Sequence, residues 1–231
     1  MNLLLISIAP GIAISWYVYH KDRWNKEPSK TIIYAFILGA LISFPSAVLE
    51  TIIDLFNLFT PYKSLADLFL YTFFRIALIE EGAKYYVIYR FIYPKEEFDE
   101  PFDGIVYSVM VGMGFATVEN ILYVIPGGYI VGFTRALLAV PAHFVFALFM
   151  GYAFGLAKFG VKPEKYLTQA LFYPVFWHAL YDFLILTKIW YLSILILPIV
   201  YLVGRWIWKR GQRLIILEKW EENEYDQSNT F

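Results

Sequence analysis

Long apolar stretches follow one another along almost the whole of this 231-residue chain, separated by short polar connections. A helix needs about 20 mostly apolar residues to cross the hydrocarbon core of a bilayer. Hydrophobic residues make up 59% of the chain, whereas soluble domains contain about 45–50%. The sequence therefore predicts an all-α integral membrane protein with about seven transmembrane helices in one bundle, at roughly 2–19, 31–54, 67–92, 104–125, 129–157, 166–187 and 189–208.

The distribution of basic residues predicts the orientation of the bundle. Cytoplasmic connections of membrane proteins carry an excess of Lys and Arg. With the N-terminus outside, 14 of the 19 basic residues fall on the cytosolic side, and only Lys63 and Lys188 fall outside. We therefore expect a multi-pass plasma-membrane protein with its N-terminus outside and its C-terminus in the cytosol. The apolar start, 1–19, lacks a basic region and a cleavage site, which favours a retained first span.

Net charge and cysteine content restrict the possible partners and cofactors. The formal net charge is -1, which suggests no nucleic acid partner. The chain contains no cysteine, which excludes disulfides and thiolate ligands. Any bound metal ion must therefore be held by His, Asp or Glu side chains.

Small residues recur at every fourth position in two of the predicted spans. Such stripes allow helices to approach closely in lipid, because small side chains leave room for backbone contact. We therefore expect the fourth and fifth spans to pack tightly inside the bundle. The stripes consist of Gly104, Ser108, Gly112 and Ala116 in the fourth span and Ala147, Gly151 and Gly155 in the fifth.

Ionisable residues in the third span give the first functional signal. A charge in hydrocarbon costs roughly 2.5–3.5 kcal/mol even on lenient insertion scales, so such groups pair, bind an ion or do chemistry. Glu80 and Glu81 lie four and three residues before Lys84, and both pairs can face each other on a helix. Adjacent glutamates point about 100° apart, so we expect them to differ in role. A buried ion cluster that pins neighbouring helices is the structural alternative.

Histidines occur in the fifth and sixth spans, each shortly after a proline. His143 follows Pro141, and His178 follows Pro174. Proline frees a backbone carbonyl and bends a helix, so we expect room beside each imidazole for water or substrate. Asp182 lies four residues after His178 on the same helix face, where it can orient the imidazole or join it as a ligand.

The predicted topology places these groups at similar depths. Glu119 lies in the outer third of the fourth span, where snorkelling toward the interface is the structural alternative to a functional role. If the groups converge, the site opens toward the outer half of the membrane. Near the midplane we expect Glu80, Glu81, His143 and His178, with Glu119 and Asp182 somewhat further out.

Two functional classes are compatible with these residues. Carboxylates together with two histidines are the donors of a metal hydrolase, with zinc as the favoured metal. The same residue types serve as a proton or cation relay in a transporter or channel. Nucleotide-binding motifs, a His-Glu-x-x-His zinc motif and a Gly-x-Ser-x-Gly nucleophile motif do not occur in the sequence.

Four motifs follow one another in a specific order. They are Glu80-Glu81-Gly-Ala-Lys84, the segment 98–120, His143 and Gly151 with seven residues between them, and His178 with Asp182. Their order resembles that of the PrsW family of intramembrane proteases, which is similar in motif order to the CAAX prenyl protease and bacteriocin-processing group. The resemblance extends from Ile8 to about Arg210.

The resemblance implies a zinc-dependent membrane metalloprotease. The sequence pattern predicts a transmembrane catalytic domain at 1–213 and a cytosolic tail at 214–231, which begins as a short amphipathic helix. It also implies regulated proteolysis. The expected substrate is a single-span membrane protein, such as an anti-sigma factor, cut first on the extracytoplasmic side. Expected partners are this substrate and the lipid bilayer; the sequence defines no oligomeric state.

The same resemblance suggests roles for individual residues. We expect Glu119, His143 and His178 to hold zinc with one position open for water. Glu80 is favoured as the base that takes a proton from this water, and Glu81 as a ligand or structural partner. A metal-free variant, in which a glutamate and a histidine activate water directly, stays open. Supporting roles are expected for Lys84, Asn120 and Asp182.

Overall fold

The structure is a computed structural model that describes residues 2–22, 25–56, 64–188, 198–199 and 201–213. Regular secondary structure in this part of the chain is helical throughout, without a strand, which confirms the predicted all-α class. Residues 201–213 are also helical. The α-helices are α1 (Leu3–Lys21), α2 (Ser29–Leu55), α3 (Leu65–Leu70), α4 (Leu78–Val87), α5 (Asp103–Leu137), α6 (Ala139–Phe159) and α7 (Pro163–Leu186).

Helices α3 and α4 belong to one helical stretch that runs from 65 to 92. Two π-helical segments interrupt it, Tyr71–Ala77 before α4 and Ile88–Ile92 after it. A π-helical turn changes the angular register of the residues that follow, and such turns are frequent at functional sites. Helix α4 therefore presents its side chains at angles that a regular α-helix over the same stretch would not reach.

Three helices of the described residues are long and apolar enough to cross a membrane. They are Leu3–Lys21, Ser29–Leu55 and the run Asp103–Phe159, which comprises α5 and α6. Large apolar side chains such as Leu5, Trp16 and Leu41 point away from the bundle, each about 60% exposed. An apolar exterior of this kind suits lipid rather than water. The chain is therefore a helical membrane protein, while the count of seven spans stays a prediction.

Helix α5 lies at the centre of the bundle. It packs against α1, α2 and α6, and α6 in turn packs against α7. The first half of α5, from Asp103 to Thr117, is buried at every position. A helix that is buried all round has no single apolar face, which explains why this segment shows small residues rather than amphipathic periodicity.

The close approach of α5 and α6 depends on glycine. A Cβ atom at Gly151 would collide with the carbonyl oxygen of Gly104 and would lie 2.6 Å from the Cα atom of Ile105. A Cβ atom at Gly112 would lie 2.9 Å from that of Ala147. The tight packing predicted from the two stripes of small residues is present in the structure.

The boundary predicted between the fourth and fifth spans, 104–125 and 129–157, coincides with an interruption of helical geometry, but a second interruption follows it. Helical geometry is interrupted at Gly128, whose φ of 75° is a backbone conformation that glycine adopts readily. Helix α5 then ends before Leu138, and α6 begins after it. Pro141 lies in the first turn of α6, where its missing N–H has no intrahelical partner to lose. The expectation that Pro141 bends a continuing helix was therefore wrong, whereas Pro174 does lie inside α7.

Two predictions fall partly or wholly outside the described residues. Of the predicted seventh span, 189–208, only residues 198–199 and 201–208 are described, all as helix. The tail at 214–231 also lies outside the described residues, so the amphipathic helix expected there stays a prediction.

The glycine contact between α5 and α6 gives a test of the packing. Gly151→Ala should lower the free energy of unfolding by about 1–3 kcal/mol, because the added methyl group overpacks the interface. Thermal unfolding in detergent, followed by size-exclusion chromatography, measures the loss. Gly82→Ala is the matched control, because a Cβ atom at Gly82 meets nothing within 4 Å. Equal stability of the two variants would contradict the proposed contact.

Candidate active site

Four helices bring the ionisable residues of the spans together. Helix α4 carries Glu80, Glu81 and Lys84, which are all buried, between the two π-helical segments. Helix α6 supplies His143 and α7 supplies His178, each with at most 5% of its surface exposed. The side chains predicted from separate spans thus meet at one place inside the bundle.

Lys84 lies at the centre of this cluster. Its Nζ atom lies 2.7 Å from Glu81 Oε1 and 3.3 Å from Glu80 Oε2. The same ammonium group lies 3.2 Å from Nδ1 of His143 and 4.1 Å from the centre of the Phe115 ring. One cation therefore contacts and partly neutralises two buried carboxylates, as the i,i+3 and i,i+4 spacings predicted.

His143 is held by polar groups on both ring nitrogens. Because an ammonium group can only donate, Lys84 Nζ donates to Nδ1, and the proton of the neutral ring is then on Nε2. Nε2 lies 2.8 Å from Glu119 Oε2, which accepts this proton in a hydrogen bond. The other oxygen of Glu119 pairs with Arg135 at 2.9 Å. A continuous series of polar contacts thus runs from Lys84 on α4 through His143 and Glu119 to Arg135.

His178 also has a polar partner at each ring nitrogen, but both partners are carboxylates, and the ring donates to both only when each nitrogen carries a proton. Its Nδ1 atom lies 2.9 Å from Glu81 Oε1, and its Nε2 atom lies 3.3 Å from Asp182 Oδ2. Its ring stacks on Phe146 at a centroid distance of 4.7 Å and meets the His143 ring edge-on at 5.2 Å. In both histidines, Nδ1 faces the centre of the cluster and Nε2 faces an outer carboxylate.

The cluster offers a donor set that suits a divalent metal ion. Donor atoms of the four residues lie within 4.8 Å of one another, whereas two donors bound to one zinc ion at about 2.1 Å lie at most about 4.2 Å apart. Small side-chain rotations would close this difference, and Lys84 would have to turn away from His143. The four residues are Glu80, Glu81, His143 and His178.

Charge balance also favours a cation at this site. Glu80, Glu81, Glu119 and Asp182 are four carboxylates within one connected network, and the two cations that pair with them are Lys84 and Arg135. With ionised carboxylates, two negative charges are left uncompensated when both imidazoles are neutral, and one when His178, which lies between two carboxylates, carries a proton on each nitrogen. A buried excess of this size is costly, and a divalent ion would neutralise it.

The two adjacent glutamates have different surroundings, as expected. Glu80 lines two adjoining cavities of about 250 and 270 Å³, which also share Glu119 and Tyr123. Glu81 lines neither cavity, is only 1% exposed and bonds to Lys84 and His178. Only Glu80 of the pair can therefore face water or a substrate within these cavities.

A second group of charges borders the cavities and was not identified from the sequence as part of the site. Arg75 pairs with Glu50 at 2.9 Å, and its Nε atom donates to Asp54 at 3.0 Å. Both Glu50 and Arg75 line the two cavities. In the sequence, this group can be recognised from two acidic residues four positions apart near the end of the second span, Glu50 and Asp54, and from Arg75 inside the third span.

The supporting residues predicted from the sequence take distinct positions. Asp182 contacts His178, and Lys84 contacts both glutamates, as described above. Asn120 lies outside the donor cluster: it accepts from Nε of Arg135 at 2.7 Å and donates to the carbonyl of Ser7 at 3.4 Å. Asn120 therefore links α1 and α5 to Arg135, the partner of Glu119. The roles assigned to all these residues stay predictions.

A membrane helix bundle with a buried site of histidines and carboxylates fits the class of intramembrane metal-dependent hydrolases. Comparison with known proteins gives the family. The family model described as PrsW family intramembrane metalloprotease matches residues 27–206. The chain belongs to this family and is a membrane protease, which replaces the transporter alternative.

Curated relatives support the assignment over most of the chain. Proteins named Protease PrsW are 40% identical over 188 residues in Geobacillus kaustophilus and 36% identical over 185 residues in Bacillus subtilis. These matches cover 81% and 79% of this chain, and 81% and 82% of the two relatives. In Clostridioides difficile, a protein of the same name is 35% identical over 214 residues, 89% of this chain and 87% of its own length. No solved structure matches the chain significantly.

The pairing of Arg135 with Glu119 generates a prediction about positioning. Arg135→Gln should lower the rate of substrate cleavage by roughly 10–100-fold, because Glu119 and then His143 lose their fixed orientation. Arg135→Lys should restore part of the rate, since an ammonium group keeps the charge but cannot also bond to Asn120 in the same way. Cleavage by purified protein in lipid measures both effects.

Arg90→Gln is the matched control for this prediction, because Arg90 is an exposed arginine outside the cluster. It should cleave like the unmodified protein. A normal rate for Arg135→Gln, or no difference between Arg135→Gln and Arg135→Lys, would contradict a positioning role.

Proposed function

We propose that this protease is a zinc-dependent endopeptidase that cleaves a single-span membrane protein near the extracytoplasmic face of the plasma membrane. The observation that carries the proposal is the position of Glu80. This carboxylate lines the cavities beside His143 and His178, inside a bundle with an apolar exterior. A carboxylate that faces a cavity next to metal-donor histidines is the arrangement of a hydrolytic base.

The proposed topology has seven spans, with the N-terminus outside. The bias of basic residues supports it, and so does the location of the cavities. Glu50 near the end of α2, Arg75 near the start of its stretch and Asp182 near the end of α7 all border the 270 Å³ cavity. In the proposed topology these positions lie toward the outer side. Single cysteines introduced into this cysteine-free chain allow accessibility labelling to measure the orientation.

The proposed metal ligands are His143, His178 and Glu81, with Glu80 left as the base. The Nδ1 atoms of both histidines face the donor cluster, and Glu81 already contacts His178. Glu119 contacts Nε2 of His143 and is not among the four clustered donors, so we assign it a positioning role, like that of Asp182. This assignment modifies the sequence-based hypothesis that Glu119 is a ligand. When bound, zinc acidifies water and polarises a carbonyl group.

The residues of this chain would divide the reaction as follows. Glu80 takes a proton from the attacking water and later gives it to the nitrogen of the leaving amine, a step worth roughly 10²–10⁴-fold in rate. Glu119 and Asp182 hold the two imidazoles through their Nε2 atoms. Lys84 lies 3.3 Å from Glu80, where its charge favours the ionised form of the carboxylate.

The proposed substrate follows from the shape and depth of the site. The cavities are small and lie among helices, so a peptide must reach Glu80 in an extended form, as the end of a single transmembrane segment can. Arg75 and Glu50, at the cavity walls, provide polar groups for backbone carbonyl and amide groups. The family resemblance adds an anti-sigma factor as the kind of protein that is cut, at the first of two sites.

Glu80→Gln gives the direct test of proteolysis. The variant should bind zinc normally and lose cleavage by at least about 100-fold, because glutamine cannot accept the proton. Cleavage of a single-span test protein in proteoliposomes, followed by mass spectrometry of the products, measures the effect. The exposed Glu96→Gln serves as a charge-matched control. Normal cleavage by Glu80→Gln would exclude Glu80 as the base.

Zinc content tests the metal assignment. The purified protein should contain about one zinc ion, and His178→Ala and Glu81→Gln should contain almost none, because each loses a ligand. Glu119→Gln should keep most of the zinc while losing activity. Elemental mass spectrometry of folded, chelator-free protein measures these contents. Loss of zinc in Glu119→Gln but not in Glu81→Gln would restore Glu119 as the ligand, and a zinc-free active protein would support the metal-free mechanism.

A further inference from the structure

A second cluster of carboxylates lies at the other end of the bundle from the active site. Donor oxygens of Glu27, Asp99 and Asp103 lie within 4.8 Å of one another. Glu27 belongs to the connection between α1 and α2, whereas Asp99 and Asp103 lie at the start of α5. Glu27 is 3% exposed and Asp103 is fully buried, while Asp99 reaches the surface. Asp99 and Asp103 lie in the segment 98–120, which resembles the family, but the proposed reaction uses none of these residues.

Buried oxygen atoms without a partner distinguish this cluster from an ordinary acidic surface. Both carboxylate oxygens of Asp22 and Oδ1 of Asp103 are buried and have no hydrogen-bond partner among the described residues. Asp22 is fully buried, and its charge acts on Glu27 across the cluster. An unpaired buried carboxylate costs several kcal/mol, so the native protein must supply a counter-charge or a proton.

Hydrogen bonds fix the remaining oxygens of the cluster. Oδ2 of Asp103 accepts the backbone N–H groups of Asp99 at 2.9 Å and Glu100 at 2.7 Å. The hydroxyl of Tyr107 donates to Glu27. These bonds hold one oxygen of Asp103 and one oxygen of Glu27. The other oxygen of Asp103, Oδ1, makes none of these bonds. Such fixed, oxygen-only donors are the ligands that Mg²⁺ and Ca²⁺ prefer.

Basic residues near the cluster do not pair with it. Lys158 directs its Nζ atom to the carbonyl oxygens of Tyr93 and Lys95, at 2.8 and 2.9 Å. Among the described residues, no ion pair joins Asp22, Glu27 or Asp103 to a lysine or arginine. Within the part of the chain that the structure describes, the negative charge of the cluster is therefore balanced only at longer range.

We propose that Glu27, Asp99 and Asp103, with the buried Asp22 nearby, form a binding site for a hard divalent cation of the Mg²⁺ or Ca²⁺ type. The site is distinct from the histidine-containing centre, because it offers oxygen donors alone and therefore disfavours zinc. The ion ties the end of α1 and the start of α2 to the start of α5. The role of the ion is structural: it holds the start of α5, and the same helix carries Glu119 at the active site.

Binding measurements on the full-length, detergent-purified protein test the site. Equilibrium dialysis with radioactive Ca²⁺, and competition by Mg²⁺ and Mn²⁺, should give about one ion per chain. Glu27→Gln and Asp103→Asn should lose this ion, whereas the exposed Glu96→Gln, in the same connection, should keep it. His178→Ala should also keep it, because its donor belongs to the other site. Cation addition should raise the unfolding temperature only in proteins that keep the site.

Two results would overturn the proposal. The first is the absence of bound ion in the unmodified protein at millimolar Ca²⁺ or Mg²⁺, in which case infrared spectroscopy should show a protonated carboxyl group shared between Glu27 and Asp103. The second is normal binding by both Glu27→Gln and Asp103→Asn. If Asp103→Asn does not fold, the unmodified protein and Glu27→Gln decide the matter. Loss of zinc binding leaves this proposal unaffected, so the two sites are tested separately.

Discussion

The structure depends on pairing charges inside an apolar bundle. Each ionised group removed from water costs several kcal/mol unless a partner and hydrogen bonds compensate it. Lys84 meets two glutamates and the Nδ1 atom of His143, while Glu119 lies between His143 and Arg135. These contacts join α4, α5, α6 and α7 at one point. The groups needed for chemistry are therefore the same groups that fix the relative positions of the helices.

Close helix packing makes this pairing possible. The backbones of α5 and α6 approach at Gly104 and Gly151, which brings Glu119 and His143 from neighbouring helices to 2.8 Å. The π-helical segments around α4 contribute a second adjustment, because they set the angle at which Glu80 and Glu81 enter the bundle. One glutamate then faces the cavities while the other faces His178. A regular helix with wider packing would separate these groups and leave the charges unpaired.

Much of the site could be predicted because its parts are local. The i,i+3 and i,i+4 spacings anticipated the contacts of Lys84 with both glutamates and of His178 with Asp182. The break at Leu138 could not be predicted from hydropathy, because the chain stays apolar on both sides of it. For the same reason Arg135 was interpreted only as a charge within a span. Its segment folds back, so that Arg135 pairs with Glu119 and also bonds to Asn120, which lies fifteen positions before it.

The sequence by itself determined the membrane class, the identity of the donor residues and the family, because apolar length, residue chemistry and motif order are all properties of the linear chain. Only the tertiary structure decided which nitrogen of each histidine faces which carboxylate, that Glu80 rather than Glu81 lines the cavities, and that carboxylates from two connections meet at the opposite end. Those contacts join residues far apart in the chain. They depend on how each helix is rotated and how closely its neighbours approach, and local periodicity fixes neither.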